Sequence, residues 1–413
     1  MKVLTILGTR PEAIKLAPVI HELERQKAHG GPFDFAQDRL RSVVCVTAQH
    51  RQMLDQVLAL FHMVPDIDLN LMQDGQSPSQ VAARVLTGLE PVLQAERPDW
   101  VLIQGDTTTA MAAAIATHHL HIRVAHVEAG LRTGDRFNPF PEEMNRVIAD
   151  HLSDLHFAPT ERARHNLRRE GIPNARIRVT GNTVVDALHW VAALPVTPEV
   201  YRLLDQLSTA EVITGQGDPS ASSGQRKGTK RNSPSLPLSL SPHLILVTAH
   251  RRESFGAPLR RICTALRELV RRRDDVQVVY PVHLNPNVWG RVHEWLGDVP
   301  RIRLLPPVDY LTMVHLMKRS FLILTDSGGI QEEAPSLGVP VLVLREVTER
   351  PEAVEAGAAR VVGTDPERIL AETELLLDDS AAHAAMARVV NPYGDGHAAE
   401  RIVAALLATD GHR

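Results

Sequence analysis

Eight short β-branched runs recur along the chain: KVLTILG, SVVCVTAQ, WVLIQGD, IRVAHVEAG, HLILVTAH, VQVVYPVH, FLILTDSGG and PVLVLRE. Each closes on a polar or glycine turn and leads into a helical pattern. Near-continuous apolar runs of this length suit strands buried on both faces. Their alternation with helices predicts an α/β protein with parallel sheets. The runs lie on both sides of a Ser/Pro/Gly-rich tract at residues 208–242, which lacks periodicity and has too little apolar material to pack. This tract reads as a disordered insertion near a domain boundary. A second insertion, AHGGPFDFAQDRLRS at residues 28–42, separates the first helix from the second strand, where a loop of about 2–6 residues would suffice.

The 413 residues exceed the size at which one core keeps growing, so two domains are expected. A formal charge of −4 leaves no basic footprint for nucleic acid, and no polybasic tract adjoins an apolar helix to suggest a membrane surface. A small molecule is the expected partner. Cys45 and Cys263 are far apart and lack CxxC spacing, which argues against a disulfide framework and a thiolate metal site. The opening MKVLTILGTRPEA has too short an apolar run for a signal peptide, and no later stretch of about 18 uncharged apolar residues follows. A soluble, cytoplasmic protein is expected.

In open parallel sheets ligands sit beyond the carboxyl ends of the strands, and here the residues at those ends are polar. Gly8-Thr9-Arg10-Pro11-Glu12-Ala13-Ile14-Lys15 follows the first strand. Pro11 can start a helix there, whose N-terminus offers free N–H groups to an anion, with Arg10 and Lys15 adding cations. The loop is neither GxGxxG nor a Walker A sequence, which makes a nicotinamide cofactor less expected. Asp106 follows WVLIQG at another strand end, and the threonines after it supply the helix cap, leaving the carboxylate for the crevice. Glu128 ends IRVAHV, and Glu142 opens the helix PEEMNRVIADHL, where Arg146 at i+4 gives it a purely structural partner. Glu143 is expected to face solvent or a salt bridge. Asp106, Glu128 and Glu142 together form a plausible acid/base cluster, in which mutual repulsion would raise some pKa values. His118, His119 and His121 mark a helix end, with too few ligands around them for a metal.

In the second half, His250 and His283 occupy the ends of successive strands, with Arg251 and Arg252 beside the first. Thr325-Asp326-Ser327-Gly328-Gly329 lies between a strand and a helix, where small residues let a phosphate approach backbone N–H groups. Glu333, one turn further, could accept from ribose hydroxyls, and Arg350 could reach the same cleft. Glu332 and Glu333 could equally be solvated.

Together, GTRPEAIKLAPV, QGDTTTAMAAAIA, HVEAGLRTGD, FPEEMNR, VTGNTVVDAL, VTAHRRESFG, YPVHLNPNV, LTDSGGIQEEAPSLGVPVLVLREVTERPEAV and NPYGDG closely resemble the non-hydrolysing UDP-N-acetylglucosamine 2-epimerases. The resemblance implies a GT-B architecture, two Rossmann-like domains around a deep cleft, and a homodimer. On that plan residues 1–182 form the first domain, 183–390 the second, and 391–413 a C-terminal helix packing back on the first. It also implies that Asp106, Glu128 and Glu142 are catalytic acids, and that His250 lies near the UDP leaving group. Arg10, Lys15, Ser327, Gly328, Gly329, Glu333 and Arg350 match positions that hold UDP. Gln49, His50, Gln52, Arg251 and His283 resemble a regulatory site where some bacterial members bind a second UDP-sugar. Val308 and Met313 stand where relatives have a glutamine and a phenylalanine flanking uracil.

The chemistry implied is epimerisation at C2, interconverting UDP-GlcNAc and UDP-ManNAc for cell-surface polysaccharide without cofactor or metal. Because C2 has no adjacent carbonyl, UDP leaves from C1 as a base takes the C2 proton. UDP then adds back to 2-acetamidoglucal, with proton delivery to the opposite face. The rival readings are a GT-B glycosyltransferase and a non-catalytic UDP-sugar sensor.

Overall fold

The computed structural model describes residues 1–29, 40–47, 51–71, 73, 75–208 and 243–410. The insertion expected at 208–242 lies outside them apart from Ser208, as does most of that at 28–42. Gln49 and His50 also lie outside the described residues, as does the side chain of Gln52.

The first half contains strands β1 (Lys2–Leu7), β2 (Arg41–Val46), β3 (Ile67–Asp68), β4 (Trp100–Gln104), β5 (Arg123–Val127), β6 (Leu155–Ala158) and β7 (Ile177–Val179). They form one parallel sheet in the order β3-β2-β1-β4-β5-β6-β7. Its helices are α1 (Arg10–His29), α2 (Arg51–Leu60), α3 (Pro78–Glu96), α4 (Thr108–His119), α5 (Glu142–Leu152) and α6 (Glu161–Arg169). Next come α7 (Thr183–Ala193) and α8 (Pro198–Ser208).

The second half contains β8 (His243–Thr248), α9 (Ala257–Arg272), β9 (Val276–Pro281), α10 (Pro286–Leu296), β10 (Ile302–Leu305), α11 (Tyr310–Arg319) and β11 (Leu322–Thr325). The chain continues through α12 (Gly328–Glu333), β12 (Val341–Val343), α13 (Pro351–Glu355), β13 (Ala359–Val361), α14 (Pro366–Asp378), α15 (Ser380–Ala387) and α16 (Ala398–Asp410). Its parallel sheet runs β10-β9-β8-β11-β12-β13. This is an α/β fold of the GT-B type.

Physical chemistry accounts for the elements that place the site. β4, WVLIQ, is buried along its whole length because helices cover both faces of a parallel sheet. Truncating Leu102 to Ala would cost about 2–5 kcal/mol. The strand stops at Gly105, whose φ of 71° is disfavoured for other residues. Thr107 then caps α4, its side chain accepting from the Ala110 N–H at 3.0 Å. The alanines buried along α4 allow α3 and α5 to pack closely on it.

Strand order reverses between β1 and β4 in one sheet and between β8 and β11 in the other. Those switch points open a crevice at the carboxyl edge, and the polar loops read from sequence lie there. Helix α7 packs on α1 and α16 as well as on α11 and α12, so it is shared by both halves. The chain returns to it through residues 391–397. There the Asn182 N–H donates to the Tyr393 carbonyl at 2.6 Å, and Gly181 and Gly394 both take positive φ. A Cβ on Gly181 would lie 3.3 Å from the Gly394 Cα.

Candidate active site

Four charges alternate through the space between the two sheets. Glu128, just past β5, takes a φ of 66° and is 8 % exposed. Its carboxylate accepts from Lys15 Nζ at 2.5 Å, from Asn182 Nδ2 at 2.9 Å and from Gln104 Nε2. Lys15 also faces Glu332 at 3.8 Å, and Glu332 accepts from Arg350 Nε. Burial alone would raise the Glu128 pKa, but the charges of Lys15 and Arg350 outweigh it and hold the pKa below the usual range. Burial would likewise lower the Lys15 pKa, yet Glu128 and Glu332 keep it raised. For Glu332 burial wins over Arg350 and Lys15, and its pKa is raised.

A cavity of about 400 Å³ adjoins this cluster. Arg10, Lys15, His250, His283, Ser327, Gly329, Glu333 and Arg350 line it, as do Val308 and Met313. Glu333 accepts from the Tyr310 hydroxyl at 2.6 Å, and burial pushes its pKa up to about 7. The His250 ring stacks on His283 at 5.4 Å with an 11° interplanar angle. Burial lowers the His250 pKa, and His283, Arg251 and Arg10 reinforce the shift against Asp326. Asp326, fully buried, fixes the turn after β8 by accepting from the backbone N–H groups of His250 and Arg251, each at 2.8 Å. Neither Gly328 nor Gly329 has positive φ, and a Cβ on Gly328 would come no closer than 3.6 Å to Arg251 Nη2 and 3.7 Å to Arg350 Cζ. Backbone conformation therefore does not require these glycines. They leave room beside two guanidinium groups and the first N–H groups of α12.

Several expectations change in the structure. Before α1 the N–H groups of Gly8 and Thr9 are taken up by Glu12, at 2.9 and 2.5 Å, as the carboxylate half of a capping box. Lys15 lines the cavity, with its ammonium held by Glu128 at 2.5 Å and facing Glu332 at 3.8 Å. The three candidate acids are not a mutually repelling cluster. Each of two has its own cation, Lys15 for Glu128 and Arg146 for Asp106 at 2.5 Å, and the Glu128 pKa falls rather than rises. Arg146 does not pair with Glu142. It reaches Asp106 and, at 3.4 Å, Glu143. Of the two settings expected for Glu143, the salt bridge holds, to Arg146, and solvent does not: it is 3 % exposed and accepts from the N–H groups of Thr133 and Gly134 at 3.1 and 2.9 Å. Glu332 and Glu333 are buried rather than solvated. Asp106, Glu128 and Glu142 do not line the cavity. Glu128 is joined to it through Lys15, and next to Asp106 the Thr107 hydroxyl donates to Glu12 at 2.6 Å.

The strand-end rule missed Glu12, Glu332, Asn182 and Tyr310, although Gln104 ends β4 as a buried amide that the same rule could have flagged. It also missed the support beneath the site. His126 lies buried between Asp150 and the Gly105 carbonyl, 2.7 Å from each. Asp150 also pairs with Arg132 at 2.8 Å. Burial opposes ionisation of Asp150, yet His126 and Arg132 hold its pKa at about 2. Among the described residues no group of three or more His, Cys, Asp or Glu could hold a metal ion.

Known proteins place this arrangement. Residues 35–407 match the sequence profile of the UDP-N-acetylglucosamine 2-epimerase family. The UDP-N-acetylglucosamine 2-epimerase of Salmonella typhimurium is 50 % identical over 406 residues, covering 98 % of each chain. The Neisseria meningitidis UDP-GlcNAc 2-epimerase structure, bound to UDP-GlcNAc, superposes with a TM-score of 0.82 at 42 % identity, covering 99 % of this chain and all of that one. The Methanocaldococcus jannaschii enzyme, in complex with UDP-GlcNAc and UDP, gives 0.75 at 33 % identity with the same coverage. The chain belongs to the UDP-N-acetylglucosamine 2-epimerase family.

Proposed function

We propose that the protein interconverts UDP-GlcNAc and UDP-ManNAc by epimerisation at C2. The observation that carries this is Glu128, an ionised carboxylate fixed by Lys15, Asn182 and Gln104 beside a cavity that presents arginines and a glycine-opened helix start. A base of this kind takes the C2 proton while the C–H electron pair forms the C1–C2 double bond. The C1–O bond breaks and its pair leaves with UDP. Arg10, Arg350, Ser327, Gly328 and Gly329 stabilise the departing diphosphate, and Glu333 receives the ribose. His250 stands beside the leaving group. Asp106 and Glu142 complete the acid/base set that serves the two faces of C2, and UDP stays bound until it adds back. His283 shares the cavity wall with His250, and with Arg251 beside Gly328 it would place any regulatory UDP-sugar near the same leaving group.

We assign residues 1–182 and 183–390 to two domains, with 391–413 returning to the first, in a cytoplasmic homodimer supplying ManNAc units for cell-surface polysaccharide. No described helix is long and apolar enough to cross a membrane. Incubation with UDP-GlcNAc in D₂O, followed by NMR, tests the activity. Deuterium at C2 together with UDP-ManNAc is expected. A sugar that stays inert until an acceptor is added identifies a glycosyltransferase, and binding with neither exchange nor product identifies a sensor.

A further inference from the structure

Glu332 has no part in the roles assigned above, yet it is among the most completely buried carboxylates in the molecule, 1 % exposed. Its Oε1 accepts from Arg350, while Oε2 has no hydrogen-bond partner among the described residues and lies 3.8 Å from Lys15 Nζ. Lys15 and Glu128 come from the first half, and Glu332 and Arg350 from the second. Two carboxylates from opposite halves therefore compete for one ammonium, which in this structure sits on Glu128.

Proton transfer unbalances this arrangement. When Glu128 takes a proton from C2 it becomes neutral, and the buried Lys15 charge is left with only Glu332, 3.8 Å away and not hydrogen-bonded, as counter-ion. A shift of the ammonium by about 1 Å brings it to hydrogen-bonding distance of the open Glu332 oxygen. When Glu128 gives the proton up, the ammonium returns. We propose that Glu332 is a positioning residue, the second seat for the Lys15 ammonium, which it receives while Glu128 is protonated during turnover. The titratable groups facing it are Lys15 from α1, Glu128 from the end of β5, Arg350 before α13, the adjacent Glu333, and Tyr393. Glu333 also feels the Lys15 charge, but among the described residues only Glu128 and Glu332 lie within ion-pair distance of Lys15. The inference rests on Glu128 as a proton-transfer group in the proposed reaction.

Glu332→Gln keeps an acceptor for Arg350 and removes the charge. Its test uses the full-length protein and three readouts. Calorimetry with UDP should give a Kd within about twofold of wild type, whereas C2 exchange in D₂O should slow by ~10-fold or more. With one negative charge gone and both cations retained, the acidic limb of the kcat/KM profile should move to lower pH. Glu332→Asp, which restores the charge, should recover part of the rate, and it stands in as the second variant should the glutamine form fail to fold. Glutamate carboxylates labelled with ¹³C, with Glu128 assigned through Glu128→Gln, report the Glu128 titration without turnover. Its midpoint should fall in Glu332→Gln. A loss confined to UDP affinity, with the pH limb and the Glu128 midpoint unmoved, overturns the second seat. Absence of exchange in the wild type instead removes the proposed function, and the ¹³C titration still decides whether Glu332 governs Glu128.

Discussion

Replacing Lys15 by Met preserves most of the aliphatic stem and removes the ammonium between Glu128 and Glu332. Both carboxylates are nearly sealed from solvent, so water does not replace the lost contact. Taking one partner from a buried ion pair costs about 3–5 kcal/mol. For a folding unit of about 150–250 residues each kcal/mol moves the melting temperature by about 2–4 °C. Calorimetry at about pH 8 should therefore show a fall of about 10 °C. The dependence on pH has a definite sign. In the wild type the folded pKa of Glu128 is depressed. Its stabilisation is thus present above the unfolded pKa and fades as pH falls through the folded one. In the variant only Arg350 faces two buried carboxylates, so the folded pKa of Glu332, already raised in the wild type, rises further and that of Glu128 loses its largest lowering influence. That penalty is complete above the folded pKa and disappears as pH falls towards the unfolded one. The deficit should narrow between about pH 8 and pH 5, by about 1.4 kcal/mol for each unit by which the folded pKa is raised. A variant that melts with the wild type at pH 8, or whose deficit is the same at both pH values, refutes the electrostatic account of the cluster.

Three further outcomes are expected. Glu128→Gln and Asp106→Asn should each lower C2 exchange by ~10²-fold or more while leaving UDP binding intact by calorimetry, and near-normal exchange in folded protein rules out the assignment. Asp150, held at about 2 against an ordinary 3.8, contributes about 2 kcal/mol above pH 4. That contribution should be lost in acid unfolding as pH falls from about 4 towards 2, and Asp150→Asn should flatten this part of the curve. Glu143→Ala strands the N–H groups of Thr133 and Gly134 and should cost about 1–3 kcal/mol. Limited proteolysis should then cut within residues 131–138 faster than in wild type, and an unchanged cleavage pattern would mean that the loop is held by something else.

The central strands were legible because parallel sheets need near-continuous apolar runs, and β1, β2, β4, β5, β8, β9, β11 and β12 all carry one. β3, β6, β7, β10 and β13 went unread. They are two to four residues long, and a run such as LHFA or IRV is too short to show a period. At the site, position at a strand end pointed to Asp106, Glu128 and His250 without any knowledge of side-chain direction. What stayed hidden was pairing across distance. Arg146 had an acceptable partner one turn away in Glu142, but Asp106 and Glu143 converge on it in space. Whether Glu332 is solvated or buried stayed open because its partner Lys15 comes from the opposite half of the molecule. Glu12 drew no assignment because local spacing does not reveal that Thr107, on the neighbouring strand's loop, donates to it.

The two passages of chain between the sheets, at residues 181–182 and 393–394, run side by side and are hydrogen-bonded to each other. Such a pair acts as the spine of a book: the covers swing about it, while sliding or twisting strains both tethers at once. Asn182 is part of that spine, and its amide holds Glu128. Points near a pivot move least. The Glu128 carboxylate is thus mounted where opening would disturb it least, with Arg10 on the same cover, while Arg350 and the glycine turn would ride on the far one. A swing about that spine would leave the contact between Asn182 and Glu128 in place.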